Sequence, residues 1–272
     1  MRAGTLVAYR WELRKLAAQK RTYIGIGSAL LLPVIFVTVM ALQKGGPYDA
    51  PLGHNLRRTG LSLVLVVLNF ASRFGAQLVA ALVAGDIVAA EDSGGTLKMI
   101  FTRSLRRGQI LGGKILASFT YVAALMVALA GAGVVAGVAA WGFDPLTTLS
   151  DTRISAAHAL GLTFATMAVF AVPLAGVAAF AILLSTWTRN SAAAIVGALV
   201  YALAQEAFGG LVHQDWARHY LLSDQFDGWH GLFQSPTNWL LIGRTLWVSA
   251  IFIVVPLVAA GVVFHRRDVA GE

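Results

Sequence analysis

Six apolar runs, each of about 20 residues or more, constrain this chain more than any other feature of it. They cover residues 22–42, 61–85, 115–141, 156–185, 192–211 and 241–264. About 20 residues of helix span roughly 30 Å, the thickness of a bilayer's hydrocarbon core. A soluble domain of 272 residues has too few interior positions to hide such runs. Only 12% of the chain is charged and its mean hydropathy is +0.71, against about a quarter charged in soluble proteins. The predicted fold is an all-α membrane protein with six transmembrane helices. Pro33 and Pro173 lie inside the first and fourth runs, where neighbouring helices can re-satisfy the freed carbonyls. No internal repeat of the kind that marks many secondary transporters is visible.

The segment 1–21 carries Leu6, Tyr9, Leu13, Leu16 and Ala17 at three- and four-residue steps. Arg10, Glu12, Arg14, Lys15 and Gln19 take the rest of the wheel. This predicts an amphipathic helix in the headgroup plane rather than a cleaved signal peptide. With the N-terminus inside, fourteen of the 21 Lys and Arg fall on the cytoplasmic side: Arg2, Arg10, Arg14, Lys15, Lys20, Arg21, Lys98, Arg103, Arg106, Arg107, Lys114, Arg189, Arg266 and Arg267. Six fall outside: Lys44, Arg57, Arg58, Arg153, Arg218 and Arg244. The positive-inside rule then puts both termini, the loop 86–114 and the tail 265–272 in the cytoplasm of a cell (plasma or inner) membrane. The net charge of +8 sits in short juxtamembrane clusters, a pattern that suits membrane lipid and not nucleic acid. With no cysteine there are no disulfides and no thiolate metal sites.

The longest polar interruption is 86–114. Acidic residues lead (Asp86, Glu91, Asp92), Gly94 and Gly95 break the backbone, and an apolar turn (Leu97, Met99, Ile100, Phe101) precedes a basic cluster with Arg103, Arg106 and Arg107. Flanked by spans, it is predicted to project as a compact hairpin of short helices whose task is to meet another protein. Gly108, Gly113 and Lys114 also satisfy the first part of a phosphate-binding loop, G-x-x-x-x-G-K. Ile115 follows where a Ser or Thr would be needed for magnesium, and no buried strand precedes it. The chain is therefore not expected to hydrolyse ATP itself.

Glu91, Gly95-Thr96-Leu97, Arg107 and Gly113-Lys114 have the order and spacing of the loop between the second and third spans of ABC-2 type transporter permeases, and the loop resembles theirs. Ser104 stands where that family usually has proline. The resemblance implies a cytoplasmic coupling-helix hairpin that docks in a cleft of a separate ABC ATPase subunit, with Glu91, Gly94, Gly95, Thr96, Leu97, Ile100, Phe101, Arg103, Arg107, Gly113 and Lys114 at the contact. It further implies two ATPase copies, a second permease protomer, and ATP and magnesium held on the partner, with no cofactor on this chain. It also implies that the N-terminal helix braces the ATPase, and that the turn 185–191 adds a secondary contact, although its residues read equally as a tight polar turn with Asn190 or Ser191 capping the fifth span.

Within the spans, Asn69, Arg73 and Gln77 recur at four-residue steps and so share one helical face. An Arg within a span costs a few kcal/mol unless it finds a partner. Glu206, beside Gln205 in the fifth run, is the natural one. The pair reads either as a polar lining of a pathway or as an ion pair that orients two helices. The segment 212–240 scatters Trp216, Tyr220, Phe226, Trp229, Phe233 and Trp239 among acids and histidines. It reads as an interfacial aromatic belt or, as the resemblance implies, as short re-entrant helices capping the pathway. His213, His219 and His230 lack the tight spacing and carboxylate support of a metal site.

The expected function is the permease subunit of an ATP-driven exporter of a hydrophobic or amphipathic cargo, such as a drug, a lipid-linked compound or a peptide antibiotic. The alternatives are an ion-coupled carrier, for which Arg73 and Glu206 are the support, and an intramembrane enzyme. No span holds a His with a Ser, Asp or Glu at helical spacing, which weighs against the enzyme.

Overall fold

The computed structural model describes residues 2–42, 58–93, 105–212 and 214–266. Among them the chain is helical almost throughout. Helix α1 (Arg2–Ala18) breaks at Gln19 and runs into α2 (Lys20–Leu42). Then come α3 (Gly60–Arg73), α4 (Gly75–Asp86), α5 (Ala89–Ser93), α6 (Arg107–Trp141), α7 (Ala156–Thr188), α8 (Ser191–Leu211), α9 (Asp215–Arg218), a 3-10 helix (Ser223–Phe233) and α10 (Trp239–Arg266). Strands β1 (Leu146–Thr147) and β2 (Arg153–Ile154) pair antiparallel in the α6–α7 connection. Among the described residues five single helices are long and apolar enough to cross a membrane, and up to six spans result if the bent pair α3–α4 is one. This is a multi-pass, all-α membrane protein.

Helix α3 is the axis of the bundle. Every residue from Gly60 to Leu68 is buried, as expected of a helix that is apolar all round and enclosed by others. It lies against α6 and α7. At its start it crosses α6 backbone to backbone, Gly60 on Gly137. Small residues allow such an approach, which van der Waals packing rewards in lipid. Thr59 caps the helix: its Oγ1 accepts from Leu61 N at 3.4 Å and donates to the Asp144 carbonyl at 2.9 Å. Helix α2 lies on α6, α8 on α7 and α4, and α10 on α7. Leu31, Ile35, Val200, Leu203, Val255 and Val258 on these outer helices are all largely exposed, an apolar surface that only lipid or another protein can cover.

Two helices differ from the runs read in the sequence. The second run, read as one span over 61–85, is broken at Phe74, whose backbone leaves the helical region just before Gly75, and the two halves meet at 44°. The third, read from 115, begins at Arg107 and is 35 residues long. At 1.5 Å per residue it reaches roughly 50 Å, well beyond a bilayer core. Helix α1 packs along its first turns, with Gly4 beside Gln109 and Ala8 beside Gly113. The turn after α7 holds Arg189 in the left-handed conformation, and the Asn190 side chain accepts from Ala193 N at 3.1 Å to cap α8.

Candidate functional site: a charged clasp at each end of the bundle

At the α1 end, Lys114 is fully buried and its ammonium reaches Glu91 Oε2 at 2.6 Å, Glu12 Oε1 at 3.1 Å and the Ile87 carbonyl at 2.8 Å. Lys15 pairs with the same two acids, at 3.0 Å from Glu12 and in close contact with Glu91. Burial works against charge on Lys15, but Glu91 and Glu12 prevail and hold its ammonium above the ordinary lysine value. Arg21 on α2 pairs with Asp86 at the end of α4. Ser185 Oγ on α7 accepts from the backbone amides of Val88 and Ala89 at 3.2 and 3.0 Å. Arg189 lies 3.7 Å from Asp92. Together these contacts tie α1, α5, the start of α6 and the α7–α8 turn to one another.

Lys114 and Gly113 were expected on a surface that meets a partner, and the structure buries both. An added Cβ at Gly113 would sit 2.7 Å from the Ala8 Cβ and 2.8 Å from the Tyr9 amide. The glycine is thus the place where α1 can lie on α6. The phosphate-loop pattern lies wholly inside this helix, with its lysine neutralised by carboxylates. Arg107 donates from Nη1 to the His265 carbonyl at 2.8 Å, closing the last turn of α10. Glu91 is largely buried in the clasp. Gly94, Gly95, Thr96, Leu97, Ile100, Phe101 and Arg103 lie outside the described residues.

The buried face of α1 is not the one its periodicity predicts. Ala8, Glu12 and Leu16 are its buried positions among the described residues, whereas Leu6 is 51% exposed and Ala17 is exposed as well. Glu12, assigned above to the polar side of the wheel, points inward because Lys114 is there to receive it. One signal was available: Glu12 is the sole acid in a strongly basic segment.

At the far end Arg73 sits at the α3–α4 break. Its guanidinium reaches Glu206 Oε2 on α8 at 3.2 Å, Asp227 Oδ1 on the 3-10 helix at 2.6 Å and Asn69 Oδ1 at 3.5 Å. The expected Arg73–Glu206 pair forms. Asp227 was not foreseen, since it lies far away in sequence in a segment without periodicity. Gln77 is buried one turn beyond. Gln205 holds the start of the 3-10 helix: its Oε1 accepts from Leu222 N at 3.0 Å, and its carbonyl accepts from Ser223 Oγ at 2.8 Å. Asp224 is held by Arg244 at 3.3 Å. Phe226, Trp229 and Phe233 are fully buried, with Phe170 of α7 stacked on Phe226 and tilted against Trp229. As a belt residue each would face lipid headgroups; instead they pack inward on α7. Trp216, Tyr220 and Trp239 stay exposed.

Two predictions arise here. Arg73→Gln leaves Glu206 and Asp227 without their cation, and is expected to cost about 2 kcal/mol. Adding Glu206→Gln should recover part of it, because one uncompensated charge disappears. Thermal unfolding of the two variants in detergent checks this; equal melting points would refute it. The second concerns His230, whose ring lies 3.9 Å from Asp227. Burial is the largest influence on it and pushes its pKa below 6.5, Arg73 adding to this and Asp227 opposing it. A depressed pKa means that the folded state binds fewer protons, so this contribution to stability is present above about pH 6.5 and is lost as the pH falls below it. Burial pushes the Asp224 carboxyl up, despite Arg244, which acts in the opposite sense. Between pH 7 and 5 the wild type should therefore lose more stability than His230→Gln does. Parallel pH dependences of the two melting points would count against it.

The family described as Protein of unknown function (DUF2705) matches residues 30–270, most of the chain. No curated protein matches it.

Proposed function

The chain belongs to the DUF2705 family, and we propose that it is the permease subunit of an ATP-driven exporter of the ABC-2 type. One observation carries this reading. The root of the 86–114 loop is locked by Lys114, Glu91, Glu12 and Ser185 to α1 and α7, so a push on any of these elements moves the others. A linked set of helices transmits a rigid-body shift, whereas a loose loop absorbs it. In this reading the membrane is the plasma or inner membrane, with six spans and the α1 end in the cytoplasm. The 86–114 loop is then the part that docks in the ATPase cleft, and the clasp at its root conveys the stroke. Two protomers form the pathway, and the Arg73–Glu206–Asp227 cluster holds the cap over its outer end. The apolar spans favour a hydrophobic or amphipathic cargo.

The test is co-expression with each soluble ABC ATPase of the same organism in turn, followed by purification through the permease. The expected result is recovery of both proteins and cargo movement in vesicles that stops when ATP is withheld. Transport by this chain alone, driven by a proton or sodium gradient, would overturn the reading in favour of a carrier.

A further inference from the structure

Helix α1 has two opposed faces, and the clasp uses only one. The inward arc holds Ala8, Glu12 and Leu16. The outward arc holds Leu6, Val7, Arg10, Trp11 and Arg14, all exposed, with Leu6, Val7 and Trp11 each about half accessible. At about 100° per residue these five positions fall within an arc of about 140°. The arc contains no acid, and among the described residues neither Arg10 nor Arg14 is in an ion pair. The Arg14 guanidinium lies 5.8 Å from the centre of the Trp11 ring, so an indole and a cation are presented side by side. Only Gln19 separates helix α1 from the span α2, so the Arg14 end of the arc lies close to the end of that span. Tryptophan settles among headgroups, aliphatic side chains bury just beneath them, and arginine pairs with lipid phosphate.

We infer that this outward arc is a docking surface for anionic phospholipid headgroups in the leaflet next to α1. The opposite face of the same helix grips Lys114 and, with Lys15, Glu91. Lipid bound outside and the clasp inside therefore hold one rigid element between them, and the charge of the leaflet sets how firmly α1 is seated on α6. A neutral leaflet supplies the apolar contact without the counter-charge, and α1 then lifts more often. The inference does not depend on the transport reading, because its test follows the helix and not a cargo.

The experiment is hydrogen exchange of the α1 amides in the full-length protein, reconstituted in nanodiscs of phosphatidylcholine alone or mixed with phosphatidylglycerol. Exchange in α1 is expected to slow on the order of tenfold in the anionic discs, with α7 unchanged. At about 1 M salt, where the screening length is about 3 Å, the difference should collapse. Arg10→Gln with Arg14→Gln should abolish it, and Arg10→Lys with Arg14→Lys should keep most of it. If the glutamine variant does not fold, the salt series on the wild type decides. Equal exchange in the two discs overturns the proposal. So does protection that appears only when a soluble ATPase subunit is added, which would assign the arc to a protein partner.

Discussion

Lys114→Met is expected to remove about 3–5 kcal/mol of stability, the cost of breaking a buried ion pair from one side. Its ammonium is wholly enclosed and is shared between Glu91, Glu12 and the Ile87 carbonyl. Once it is gone, two buried carboxylates face each other with only the half-buried Lys15 between them. That loss is a large part of the roughly 5–15 kcal/mol by which a protein is usually stable. The melting point should fall by roughly 10 °C, and α1 should become the first segment cut by protease. The arginine variant should fail as well, since no space is left around the buried side chain for a larger head group. Combining Lys114→Met with Glu91→Gln should restore part of the loss, because the uncompensated charge then disappears with its partner. A melting point within a degree or so of wild type would show that the clasp contributes little, and the rigid link behind the loop would fall with it.

Gly60→Ala is expected to cost about 2–3 kcal/mol, from overpacking at the crossing of α3 and α6. An added Cβ there would fall inside contact distance of the Gly137 carbonyl and 2.5 Å from the Val138 amide. All the atoms that it meets are backbone, so no side chain can swing aside and the helices themselves must part. The same crossing anchors the start of α3, whose Gly60 amide donates to the Gly142 carbonyl at 3.1 Å. Gly161→Ala is the control. It has no neighbour within 4 Å, and should be neutral or slightly stabilising because alanine is the better helix former. Detergent melting curves of the two variants separate crowding from propensity; similar curves would mean that α3 and α6 have room to spare.

The spans were legible because a bilayer imposes its requirement on each segment separately. A run long and apolar enough to cross must be a helix whatever its neighbours do, and the runs at 22–42, 156–185 and 192–211 match α2, α7 and α8 to within a few residues. The Arg73–Glu206 pair was legible for a related reason, since a charge inside a span must be matched and few acids were within reach. The break at Phe74, the inward turn of Glu12, the burial of Lys114 and the place of Trp229 against α7 were not. The last three depend on what another part of the chain brings to them: Lys114 to Glu12, Glu91 to Lys114, Phe170 to Trp229. Length and apolarity are properties of one segment and survive without context. Burial of a charge is favourable only when its partner arrives, and nothing in the order of residues along the chain says which partner that will be.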